Sequence, residues 1–212
     1  MPLAPSPRLT GVISTPSGQI TLEGPLSQEE LARLDIDPRL DWFRPAWRQK
    51  QALEEVAAMD EGRVWVARHE DVIVGYVVVH PPHPFERWGR DGIPGILELG
   101  AVEVSPSWRR SGVATALFGL IGQDPALEHY IVLATEYYWH WDLERTGLTR
   151  AEYRRMLEKL KGVSGVQPCP TDDPEITSHP SNVLMVRIGK HVPRDLREKF
   201  NDLLFEKGQQ PR

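Results

Sequence analysis

The sequence predicts a mixed α/β fold, a sheet with helices packed on both faces. Three observations lead there. Short β-branched runs, Arg63–His69 and Val72–His80, share the chain with longer amphipathic stretches at 45–59 and 149–161. The apolar run ILELGAVEV at 96–104 passes through the short loop SPSWRRSG into a helix-forming stretch, VATALFGLI at 113–121. Another apolar run, YIVLAT at 130–135, follows one helix length later.

Each element has a local cause. Residues 1–10 are rich in Pro and Ser and form a flexible start, and residues 11–212 form a single domain. GVIST and QITLE flank Pro16-Ser17-Gly18, a hairpin signature. Ser27 followed by Glu30 is a capping box, so a short helix runs through about Leu34. Pro45 opens a longer helix to Met59, with Ala46, Leu53, Val56, Ala57 and Ala58 on or near its apolar side. The strands 63–69 and 72–80 turn at Glu70-Asp71, and Gly75 marks a bulge in the second. HPPHPFERWGRDGIPG at 80–95 is a Pro- and Gly-rich loop. After YIVLAT comes the densest aromatic cluster, EYYWHWDLER, followed by a helix at 149–161 with Tyr153, Met156, Leu157 and Leu160 on one face. Residues 163–212 complete the sheet and close it: a weak strand at 163–168, the loop TDDPEITSHPSN, the strand VLMVRIGK and a helix at 193–207.

Composition excludes several classes. A net charge of −5 argues against nucleic acid, which needs a basic face. Cys169 is the only cysteine, so no intrachain disulfide forms and no Cys/His zinc cluster exists. His80 and His83 have ligand-like spacing but no acidic or Cys companions close in sequence, so no metal is expected. The first residues lack a signal-peptide apolar core, and no apolar run approaches the roughly 18 residues of a membrane span. A cytoplasmic protein, without a membrane partner, is expected.

Chemistry concentrates at 96–121. A helix N-terminus holds anions through unpaired N–H groups and its dipole. Gly112 lets a ligand approach the backbone, and Arg109 and Arg110 add positive charge. This phosphate cradle follows a strand carrying two carboxylates, Glu98 and Glu103. Their odd spacing puts them on opposite faces of a regular strand, and a bulge between them would bring both to one cleft.

Arg109-x-x-Gly112-x-Ala114, placed between a strand and a helix, resembles the acyl-CoA signature of the GCN5-related N-acetyltransferases (GNAT). The resemblance implies that fold, with an extra C-terminal strand and helix, and acetyl-CoA as co-substrate. It implies pantetheine contacts from the backbone of Val102 and Val104, and pyrophosphate contacts from Arg109, Arg110, Ser111, Gly112, Val113, Ala114 and Thr115. Arg110 stands where the family often has Gly. Glu103 and Glu98 are both candidates for the general base: Glu103 lies at the strand end beside the pantetheine residues, and Glu98, counting back from Gly112, falls where histone-type members carry theirs. The family's usual acid, a Tyr before the glycine that ends the later helix, is replaced here by Leu157, Glu158 and Lys159. Tyr138, Tyr137 and Tyr153 are substitutes.

ERW at 86–88, ELGAVEV at 98–104, TEYYWHWDL at 135–143 and TDDPEITSHPSNVLMVRIGK at 171–190 resemble a bacterial branch of that superfamily. Its members acetylate a lysine of acetyl-CoA synthetase, switch it off, and go with acetoin breakdown. The implied partner is therefore acetyl-CoA synthetase, with direct ternary-complex transfer rather than a covalent step at Cys169. Asp172, Asp173 and Glu175 are either a dock for a basic surface or a solvated turn, and Trp88, Trp139 or Trp141 would suit an exposed docking patch. The rival functions are a small-amine acetyltransferase and a CoA-responsive inhibitor that binds the synthetase without turnover.

Overall fold

A computed structural model describes residues 6–206. The chain divides into two compact units, one made of the residues up to Pro81 with Leu99–Ala126, the other of Pro82–Glu98 with the residues from Leu127.

In the first unit, β1 (Leu9–Thr15) and β2 (Gly18–Gly24) form the expected hairpin, Thr15 opposite Gly18 across the two-residue turn Pro16-Ser17. Leu9 and Thr10 thus belong to β1, and residues 1–5 lie outside the described residues. Helix α1 (Gln28–Ala32) starts at the capping box, Ser27 Oγ accepting from Glu30 N–H and Glu30 from Ser27 N–H. A two-residue strand not foreseen in the sequence, β3 (Asp35–Ile36), runs parallel to β5 (Val72–His80). Helix α2 (Ala46–Ala57) precedes β4 (Arg63–His69). Strands β4 and β5 pair antiparallel, with a register shift after Ala67, which faces Gly75. This is the bulge that Gly75 announced.

Strand β6 (Ile96–Val104) follows, then α3 (Val113–Gly122). The strand order in this unit is β1-β2-β4-β5-β6. One face buries Val64, Val66, Ile73, Tyr76 and Val78 with Leu31 of α1 and Leu53 of α2. Alternate residues Trp65, Ala67, Val77 and Val79 are also fully buried, so both faces are covered.

The second unit takes the first three residues of β6, which pair parallel with β7 (Ile131–Glu136): Ile96 with Ile131, Leu97 with Val132, Glu98 with Leu133. Short α4 (Leu143–Thr146) and α5 (Arg150–Gly162) follow, the latter started by a second capping box at Thr149 and Glu152. The weak strand is β8 (Gln167–Cys169), shifted from its expected range. The acidic loop contains one turn of helix, α6 (Pro174–Thr177), capped by Asp173. Strand β9 (Val183–Ile188) lies between β7 and β8, and α7 (Arg194–Leu204) closes the unit. Phe200, Leu196 and Leu203 of α7 bury against Ile96, Ile131 and Leu133 with Trp88. Full burial of such side chains is worth about 1.5–3 kcal/mol each, which anchors α7 and, through Trp88, the loop before β6.

Candidate active site

The loop and helix start expected to hold an anion lie in the first unit. Past Val104, a 3-10 turn at Pro106–Trp108 leads to Arg110 and Gly112, both left-handed at φ 61° and 84°. At Gly112 a side chain would meet nothing within 4 Å, so glycine is required by backbone conformation, while the space beside it is open. No side chain caps α3 at Gly112, which leaves its first N–H groups for a ligand. Arg109 Nε donates to the Val104 carbonyl at 2.9 Å, and Ser111 Oγ to the Trp108 carbonyl at 2.5 Å. Ser105, fully buried, donates through Oγ to Asp37 at 2.7 Å. Burial opposes ionisation of Asp37, but hydrogen bonds from Arg39 and Ser105 overcome it and hold its carboxyl at about 2. The loop is thus fixed from below, with Arg110 and Thr115 exposed.

Glu103 is 6% exposed and its two oxygens are taken. Oε2 accepts from the Tyr76 hydroxyl at 2.9 Å, Oε1 from the Trp42 N–H at 3.0 Å. Burial, then the charge of Glu103, raises the Tyr76 pKa far above its ordinary value, so the phenol stays a donor. Glu103 therefore ties the 37–47 segment to β6. That segment bears an open groove of about 600 Å³ whose lining includes Asp41, Trp42, Phe43, Arg44 and Trp47. Trp42, Phe43 and Trp47 are 41%, 47% and 59% exposed, and the Arg48 guanidinium lies 5.0 Å from the Trp47 ring.

Glu98 has other company. In the second unit it accepts from the Thr135 hydroxyl at 3.2 Å. The Glu86 carboxyl, from the loop before β6, lies within hydrogen-bonding reach of Glu98, and Glu175 and Asp173 are close. Burial, then the charges of Glu98, Glu175 and Asp173, pushes Glu86 up to about 7. Tyr137, hydrogen-bonded to Glu175, has a raised pKa, from burial first and then from Glu175 and Asp173. The carboxylates Glu98 and Glu103 thus serve different sets of partners.

The other predicted residues fall as follows. Val102 is half-buried and Val104 buried at the end of β6. Tyr138 packs its ring 4.5 Å from the Arg150 guanidinium and 4.3 Å from the His179 ring, so of the two tyrosines it is Tyr137 that meets the carboxylates. Tyr153 stacks on Trp141 at 5.1 Å. Trp88 and Trp141 are 2% and 8% exposed, which removes them from any docking patch, whereas Trp139 is exposed. Asp173 caps α6 and meets Arg87 at 3.1 Å, and Asp172 also binds Arg87, so part of the acidic loop is internal stitching. Burial raises the Cys169 thiol. His80 Nδ1 lies 2.8 Å from the Pro81 carbonyl, and no group of three metal-ligating side chains occurs among the described residues. Glu86 and the groove aromatics were missed as site residues. The ERW segment was the only sequence signal for Glu86.

Residues 30–123 match the acetyltransferase (GNAT) family. The chain is 45% identical over 193 residues to acetoin utilization protein AcuA of Bacillus licheniformis, covering 91% of this chain and 92% of that protein. It belongs to the AcuA family. AcuA of Bacillus subtilis is 43% identical over the same shares. The crystal structure of an acetoin utilization protein from Exiguobacterium sibiricum superposes with a TM-score of 0.91 at 42% identity, covering 96% of this chain and 97% of that one. The chain is an acetyl-CoA-dependent N-acetyltransferase with a GNAT fold. No helix among its described residues is long and apolar enough to cross a membrane.

Proposed function

We propose that the protein transfers acetyl from acetyl-CoA to a lysine of acetyl-CoA synthetase and thereby inactivates it. The observation that carries a protein acceptor is the open groove with three exposed aromatic side chains, Trp42, Phe43 and Trp47, on a segment fixed by Glu103. A small amine needs an enclosed pocket, whereas exposed aromatic and Arg side chains are what protein partners bury. The synthetase follows from the family likeness. Residues 11–212 are one catalytic domain in this reading.

Backbone groups of Val102 and Val104 hold pantetheine, and the stretch from Arg109 to Thr115 holds the pyrophosphate. A lysine ammonium must lose a proton before it attacks, since its ordinary pKa of about 10.4 leaves little free amine at neutral pH. Glu98 takes that proton. The amine forms a C–N bond to the acetyl carbonyl, the C–S bond breaks, and the second amine proton goes to the CoA sulfur through Tyr138. The net change is acetyl-lysine, free CoA thiol and one released proton. Cys169 takes no part, since burial keeps its thiol protonated.

Intact mass of acetyl-CoA synthetase, taken with its remaining activity after incubation with this protein and acetyl-CoA, tests the proposal. A gain of one acetyl group with lost activity is expected. Lost activity without a mass change would mean inhibition by binding, and no change in either would remove the synthetase as target and direct the search to small amines.

A further inference from the structure

We propose that Glu86 is a positioning residue of the transfer: its carboxyl shares one proton with Glu98, so that the acceptor ammonium is discharged into a carboxyl pair rather than a lone carboxylate. This rests on the reading of Glu98 as base. The Glu86 and Glu98 carboxyl groups are within hydrogen-bonding reach, yet Oε2 of Glu86 is buried with no donor. Two ionised carboxylates have no hydrogen to give, so their contact becomes a hydrogen bond only when one of them carries a proton.

The backbone holds Glu86 there against repulsion. Its N–H donates to the His83 carbonyl at 2.9 Å, and its own carbonyl accepts from Gly89 N–H at 3.1 Å. On its C-terminal side Arg87 is bound to Asp172, to Asp173 at 3.1 Å and to the Leu203 carbonyl at 3.2 Å. Next comes Trp88, buried with its ring 5.8 Å from Phe200. The Glu86 backbone therefore cannot move away without lifting Trp88 out of the core.

The groups that face Glu86 are Glu98 from β6, and Glu175 and Asp173 from α6; Tyr137, beyond β7, is engaged with Glu175. The neighbouring cation, Arg87, is committed to Asp172 and Asp173. Such a cluster stays together near neutral pH by keeping a proton, consistent with Glu86 titrating at about 7. Its charge draws in the lysine ammonium. The ammonium gives one proton to the ionised pair, which holds it between the two carboxyl groups; the second amine proton leaves with the CoA thiol, and the pair releases the shared proton to water before the next turn.

The experiment is a pH–rate profile of the wild type, Glu86→Gln and Glu86→Asp, with thermal midpoints at pH 5 and pH 8. In the wild type the rising limb lies near pH 7. With Glu86→Gln it moves down by about 1–2 pH units, as a lost like charge requires. kcat at pH 8 falls about tenfold because the remaining base is weaker. KM for acetyl-CoA is unchanged, and Glu86→Asp restores the limb.

The midpoint has the opposite sense. A folded pKa above the unfolded value gives stability that is full below about 4.5 and lost as pH rises through 7, so the midpoint of Glu86→Gln gains on that of wild type between pH 5 and pH 8. An unmoved limb and an unmoved midpoint would overturn the proposal. A wild type that transfers nothing to lysine would instead overturn the acceptor assignment, while the midpoints still report the shared proton.

Discussion

Glu98 and Glu103 sit five residues apart on one strand and differ in what surrounds them. Glu103 is buried with a donor on each oxygen, a phenol and a backbone N–H. Glu98 has one hydroxyl donor and is crowded by other carboxyl groups. A satisfied buried carboxylate holds parts together. In the proposed reaction, the carboxylate among other carboxyl groups is the one that takes the lysine proton. Residue type and spacing are the same signal for both; partners separate scaffold from chemistry.

Substitutions sharpen that contrast, from the largest effect to the smallest. Glu98→Gln is expected to lower kcat by about 10²–10⁴, the usual worth of a general base, and, with the like charge beside Glu86 removed, to hold or raise the thermal midpoint at pH 8. Stopped assays of CoA release and calorimetry check the two halves. Glu103→Ala strands the buried Tyr76 hydroxyl, at a cost of about 1–3 kcal/mol, and removes the acceptor that holds the Trp42 N–H. Denaturant unfolding should show that loss, while kcat at saturating acceptor stays within a few fold.

Paired Trp42→Ala and Phe43→Ala variants remove exposed side chains, so they should raise KM for a protein acceptor about tenfold or more and leave folding unchanged. Equal KM changes for a short lysine peptide and for the whole synthetase would remove the groove as a docking surface. Gly112→Ala meets no atom but forces alanine into φ 84°. A stability cost of about 1 kcal/mol is expected, with a higher KM for acetyl-CoA as the second readout.

Where causes are local, the fold was legible in the sequence. Ser27 with Glu30 and the Pro16-Ser17 turn act over a few residues, and Gly75 announced its bulge. The left-handed turn into α3 was legible for the same reason, since Gly112 and α3 are contiguous. Glu86 was not. Its partners are Glu98, twelve residues on, and Glu175, eighty-nine on, and a Pro-rich loop has no periodicity to show which way a side chain faces. Tryptophan burial was equally hidden. Trp88 lies in such a loop yet fills the core, while Trp42 and Trp47 are left outside. Tyr137 and Tyr138 are adjacent, and only the path of the chain after β7 decides which one meets the carboxyl groups.

The most direct test compares Glu98→Gln with Glu103→Gln in one assay: CoA thiol release at saturating acetyl-CoA and synthetase, with thermal midpoints in parallel. The expected result is a crossed pattern, Glu98→Gln stable and inactive, Glu103→Gln less stable and active. An active Glu98→Gln beside a stable, inactive Glu103→Gln would contradict the account and move the base to Glu103.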